Sequence, residues 1–95
     1  MDFFSKNLRE TLDAINKLID NNVNLVTTKR IRKCNNIKPS DRSKINFIWR
    51  SLQCLEKEGI LEMNGIYSPK TYTIKSNQKI NIEKVISQIE GKRNT

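Results

Sequence analysis

The chain has no histidine, only two cysteines, only three glycines and no long apolar run, and each scarcity removes a class of function. Without histidine there is no Ser-His or Cys-His pair to activate a nucleophile. Cys34 and Cys54 lie twenty residues apart with no CxxC pairing. Structural zinc wants four Cys or His ligands, so nearly every zinc arrangement is removed and no metal is expected. The two thiols are read as small apolar packing residues. Gly59, Gly65 and Gly91 are explained by caps and turns, and nothing resembles a phosphate-cradling glycine loop or a paired acid and base. We therefore expect no enzymatic activity and no cofactor. No stretch approaches the roughly 18 apolar residues that span a bilayer, and the first residues lack a basic start followed by an apolar run. A soluble, intracellular protein without membrane contact is the expectation.

The excess of basic over acidic residues is concentrated in one segment. Residues 28–50, TKRIRKCNNIKPSDRSKINFIWR, hold Lys29, Arg30, Arg32, Lys33, Lys38, Arg42, Lys44 and Arg50 against a single acid, Asp41. That segment carries +7 of a net charge of +8, and the other 72 residues are nearly neutral. A charge excess confined to one segment marks a site for a polyanion. The remaining composition, rich in Lys, Ile and Asn, has AT-rich codons and would suit a virus, a plasmid or an AT-rich archaeon or bacterium.

Ninety-five residues allow one domain with a modest core, expected over 1–90 with a flexible basic tail at 91–95. Apolar positions Leu8, Leu12, Ile15 and Ile19 predict a first helix from Ser5, its N-cap, to Asp20, with Asn21-Asn22 as its stop. On its outer face Asp13 and Lys17 stand four apart and are expected to pair. Val23 to Val26 reads as a short strand leading to a threonine N-cap. A second helix follows over 28–34, with Ile31 and Cys34 inward and Lys29, Arg32 and Lys33 outward. Ile37 is expected to plug the next turn into the core. The third helix should start at Ser40 as N-cap, with Asp41 in the first turn. It bears an apolar face of Ile45, Ile48, Trp49, Leu52 and Leu55 and stops at Gly59. Ser43, Asn46, Phe47 and Arg50 lie away from that face, although Phe47 also qualifies as a core residue. Period-two patterning then predicts strands at 60–63 and 71–74 around a loop holding Pro69. A last helix is expected over 81–90, with Ile82, Val85, Ile86 and Ile89 on one face.

This is an α+β, mainly helical order: helix, short strand, helix, turn, helix, two-stranded hairpin, helix. It resembles a winged helix-turn-helix domain, with a three-helix core, a two-stranded wing and a C-terminal helix. The resemblance covers residues 5–75 and is most telling in LEKEGILEMNGIYSPKTYTI (55–74), where the third helix runs through a glycine into an apolar strand; the strand-Thr-Thr passage at 25–28 is similar as well. No invariant motif singles out one member. In such domains the third helix enters the major groove, the second crosses the backbone and the wing touches an adjacent groove or phosphate. The resemblance thus implies that Arg42, Ser43, Asn46, Phe47 and Arg50 read bases. It implies phosphate contacts for Lys29, Arg30, Arg32, Lys33, Lys38 and Lys44, and assigns Tyr67 and Lys70 to the wing. Arginine suits guanine, asparagine suits adenine, and a phenylalanine can lie on a thymine methyl.

The expected function is sequence-specific binding of double-stranded DNA by a small transcriptional regulator, in a cytoplasm (that of a host if the source is viral). A homodimer is expected, paired partly through Phe3, Phe4 and the apolar face of the last helix, because two-fold dimers read paired half-sites. The competing expectation is a winged-helix protein-interaction module within a replication, transcription or membrane-remodelling complex, since fold alone does not fix function. The basic segment favours DNA over that adaptor. Structured RNA is a third option, disfavoured because side chains cannot read its deep groove.

Overall fold

Helices end in this chain where an asparagine or glycine adopts a left-handed backbone, and that habit sets out the architecture. The computed structural model describes residues 3–67, 70–76 and 78–93, with the side chains of 65–67, 70 and 93 outside that description. Its elements are α1 (Phe3–Asp20), β1 (Leu25–Val26), α2 (Thr28–Cys34), α3 (Arg42–Lys57), β2 (Leu61–Tyr67), β3 (Lys70–Ile74) and α4 (Ile82–Arg93). Asn22, Asn36 and Gly59 have φ of 59°, 55° and 78°. Each is followed by an apolar residue whose N–H reaches back five positions: Val23 to the Leu18 carbonyl at 2.9 Å, Ile37 to Arg32 at 3.0 Å and Ile60 to Leu55 at 3.0 Å. These Schellman closures satisfy carbonyls that a bare helix end leaves open, and they turn an apolar side chain back toward the core.

The three strands form one antiparallel sheet in the order β1-β3-β2. Leu25 and Val26 pair with Thr73 and Tyr72, while Leu61, Glu62 and Met63 pair with Ile74, Thr73 and Tyr72. The β2–β3 pairing then loses register between Met63 and Tyr67 and resumes with Tyr67 opposite Lys70. The strands therefore run longer than the expected 60–63 and 71–74, taking up most of the expected loop. Thr73 sits between β1 and β2, and its hydroxyl donates to the Asn64 side chain at 2.6 Å.

Leu8, Leu12 and Ile15 of α1, Ile31 of α2, Ile48, Leu52 and Leu55 of α3, and Val26 and Leu61 of the sheet are fully buried together. Ile37 joins them as expected, and the half-buried Cys34 and Cys54 pack at the edge. α4 closes the other side of α1 with Val85, Ile86 and Ile89 buried. Polar pins fix that seam. Asn16 both donates to and accepts from the Ile80 backbone, at 3.1 and 2.7 Å. Arg9 forks onto both oxygens of Glu83. Hydrogen bonding within this pair holds the Glu83 carboxyl below its usual range and raises the Arg9 guanidinium.

Several expectations are corrected. Ser5 does not cap α1, which begins two residues earlier; its buried hydroxyl donates to the Glu90 carboxylate of α4 at 2.7 Å. Asp13 and Lys17 form no ion pair among the described residues, where Asp20 pairs instead with Lys79 at 3.1 Å. The N-cap of α3 is Asp41, not Ser40, and its carboxylate accepts the Lys44 amide at 3.2 Å. α4 runs through Gly91 to Arg93, into the segment expected to be tail. The apolar face of α4, expected to serve a dimer, is spent on this chain's own core.

Trp49 is corrected most sharply: it is 42% exposed rather than buried. The reason is Ser51. This serine is fully buried with its hydroxyl on the Phe47 carbonyl at 2.8 Å. Polar by composition but small, it lets α3 lie close to its neighbours, so the buried strip is Ile48, Ser51, Leu52 and Leu55. At about 100° per residue that strip is rotated toward Ser51, which carries Trp49 out of the core.

Candidate nucleic-acid interface

The positive segment folds into α2, a turn and α3, and three hydrogen-bonded details fix it in place. Thr27 caps α2 by accepting the Arg30 amide at 3.1 Å. Between the helices, the Arg32 guanidinium donates to the Ile37 carbonyl at 3.1 Å, clamping the turn across the buried Ile37 side chain. The Asn35 amide ties the same turn to α1 through the Glu10 carbonyl at 3.2 Å. Arg32 is half-buried in this role, so of the expected phosphate ligands it is the one with a structural duty already visible.

The other expected phosphate ligands, Lys29, Arg30, Lys33, Lys38 and Lys44, are all exposed. Lys29 and Lys33 are one turn apart on α2, and Lys38 rides on the turn itself. On α3, Arg42, Ser43, Asn46 and Arg50 are exposed and Phe47 is half-buried. Arg42, Asn46 and Arg50 recur every four residues, so they form a row on the side opposite Ile48, about 12 Å from end to end. Tyr67 and Lys70, the expected wing residues, pair backbone to backbone at the end of the hairpin, and their side chains lie outside the described ones.

The electrostatics separate this surface from the rest of the molecule. Among the described residues, none of the seven exposed cations (Lys29, Arg30, Lys33, Lys38, Arg42, Lys44, Arg50) has a carboxylate partner; the ion pairs are Arg9–Glu83, Lys79–Asp20 and Lys92–Glu58. The one acid in the segment, Asp41, is occupied with the helix N-terminus. Seven like charges are thus displayed with no carboxylate of the described residues paired to them, at the cost of mutual repulsion. A polyanion would relieve that repulsion.

Sequence reasoning missed one residue of this face. Trp49 lies three positions from Asn46, seven from Arg42 and next to Arg50, and it adds an apolar surface to a polar row. Beyond it, α3 and the hairpin enclose a shallow groove of about 160 Å³ lined by Gln53, Glu56, Lys57, Met63 and Tyr72. Burial pushes the Tyr72 phenol above its ordinary range, with Glu56 nearby adding to the effect. Buried Ser51 was the signal that could have found Trp49, but a hydropathy pattern scores serine as surface. Among the described residues there is no cluster of three or more Cys, Asp or Glu able to hold a metal, and no helix is long and apolar enough to cross a membrane.

No family model, curated protein or solved structure matches the chain.

Proposed function

We propose that this protein is a winged helix-turn-helix domain that binds double-stranded DNA in a sequence-dependent way and acts as a small regulator of transcription in a cytoplasm. The observation that carries the reading is the set of seven exposed cations on α2, the turn and α3, none of them ion-paired among the described residues. A helix with its side chains fits the major groove of about 12 Å, and the Arg42–Asn46–Arg50 row is long enough to face three or four base steps. In that pose α3 presents Arg42, Ser43, Asn46, Phe47 and Arg50 to base edges, while Lys29, Arg30, Lys33, Lys38 and Lys44 reach phosphates on either side. Arg32 acts mainly by holding α2 and α3 at a fixed angle, with its remaining N–H groups available to a phosphate. The hairpin, with Tyr67 and Lys70 at its end, is the wing. The protein binds and does not catalyse.

Pairing of two domains on a two-fold operator belongs to the same proposal, with the N-terminal end as its contact. α4 has no free apolar face for it, whereas Phe3 on α1 is 76% exposed.

The decisive experiment is selection of bound sequences from a random duplex pool, with affinity then measured against salt. Enrichment of a motif, and a log–log salt slope near about −5 for about six phosphates, are expected. An inverted repeat in the motif, with a mass in light scattering twice the 11.1 kDa of one chain, would support the dimer. A slope near zero and no enriched motif would overturn the reading and favour the protein-interaction module.

A further inference from the structure

We infer that Trp49 reads thymine, by laying its exposed indole against the C5-methyl group in the major groove. This rests on the duplex-binding reading above and names the base that one more residue of the surface selects.

The argument starts from what a helix can meet in a groove. Trp49 stands in the exposed row of α3, two helical turns beyond Arg42 with Asn46 between them, and Arg50 follows it directly. The outer side of a helix is convex. A convex ridge entering duplex DNA meets the edges of stacked bases and not their faces, so an indole placed there cannot stack without unpairing a base. Among the edges it does meet, the adenine, guanine and cytosine groups are hydrogen-bonding ones, and the thymine methyl is the apolar group. An indole 42% exposed between arginines and an asparagine therefore finds a complementary partner at thymine and a mismatched one elsewhere. Asn46, one turn away, suits adenine. The two side chains are about 4.5 Å apart along the helix axis, between one and two base steps. The pair would thus favour A·T-containing steps under the middle of α3.

Single-strand binding is the competing use of an aromatic on a basic surface. It depends on a groove that tracks the backbone and on a succession of aromatic platforms. Here Phe47 is half-buried, and the other large exposed apolar side chain among the described residues, Phe3, is on α1.

Trp49 is the sole tryptophan of the chain, so its fluorescence reports this contact alone. The probes are four duplexes of about 20 base pairs: alternating A·T, the same with uracil for every thymine, alternating G·C, and G·C with 5-methylcytosine. With the unmodified protein, the A·T duplex should bind about fourfold more tightly than the A·U duplex, the equivalent of one methyl removed from contact. 5-Methylcytosine should recover part of that difference relative to plain G·C, and emission should shift to shorter wavelength with methyl-bearing duplexes only. Trp49→Ala should lower the thymine-to-uracil ratio toward one, Phe47 supplying any remainder, while keeping the salt slope. Trp49→Phe, with the fold checked by circular dichroism, should keep part of the preference. Equal affinity for A·T and A·U, or a ratio unchanged in Trp49→Ala, would overturn the inference and leave duplex binding standing. Tighter binding to oligo(dT) single strands, with strong quenching, would overturn it in favour of stacking. Failure of every duplex to bind at low salt would overturn both readings together.

Discussion

The two flanks of α1 treat charge in opposite ways. On the α4 flank, Arg9 meets Glu83 and Ser5 meets Glu90, and Asp20 at the end of the helix meets Lys79. On the α2–α3 flank, seven cations face solvent without a carboxylate partner among the described residues. The difference is one of assignment: acids stand opposite cations where they close the fold, and none is paired with the seven exposed cations among the described residues. Surface ion pairs contribute little to stability, so the α4 flank gains mostly definition from them. The cost of the bare flank is repulsion, which a bound polyanion would relieve.

Four measurements would break or sharpen this contrast. The largest effect is expected from Ile86→Ala on α4. A nearly fully buried side chain is truncated, costing about 2–5 kcal/mol in denaturant unfolding. DNA affinity per folded molecule should stay unchanged; a specific loss of affinity would show that the α4 flank is part of the binding surface. Next, Arg42→Ala and Arg50→Ala should each weaken binding by about 1–3 kcal/mol and relax preference at particular base pairs, without a change in unfolding midpoint. Losses that are equal for all sequences would mean that α3 lies only along the backbone. A smaller and sequence-blind effect belongs to Lys33→Ala, read as a salt slope shallower by about one. An unchanged slope would remove Lys33 from the phosphate contacts.

The smallest effect concerns pH. Because the Arg9 hydrogen bond depresses the folded-state pKa of Glu83, the carboxylate form is favoured by folding. Its contribution is fully present above the ordinary glutamate range and is lost as pH falls through the depressed value. Stability on the acid side should therefore decline less in Glu83→Gln than in the parent protein, while the two curves run parallel near neutrality. Identical acid limbs would show that the pair is too solvated to matter.

The parts legible in the sequence were those governed by neighbours along the chain. The left-handed stops at Asn22 and Gly59, the threonine cap of α2, and the burial of Ile37 all follow from local backbone chemistry. The element order also followed, because period and turn residues agree. The start of α3 was misplaced by one residue because Ser40 and Asp41 are both good caps, and only the fold selects which side chain meets the Lys44 amide. Ser5 could not be read as an α4 contact, since its partner Glu90 lies 85 positions away. Trp49 failed for a related reason. Whether a helix face includes a tryptophan or a serine depends on how closely the opposing helix approaches, and hydropathy carries no distance. The basic surface was legible because charge density needs no partner to be counted, whereas the clamp role of Arg32 needed the turn to exist.

The pairing of β1 with β3 has a bearing on time. It joins Leu25 to Thr73 and Val26 to Tyr72, across nearly half the chain, whereas the α2–turn–α3 unit is closed by bonds spanning three to five residues. Closing a long loop precedes the reward of the contacts it brings, and folding rates fall as such contacts dominate. The helical pair should thus be assembled early, with β1 docking onto the hairpin as the late step. Truncating Val26 would then mainly hasten unfolding, and truncating Ile31 would slow folding, a division that stopped-flow kinetics on the two variants can read directly.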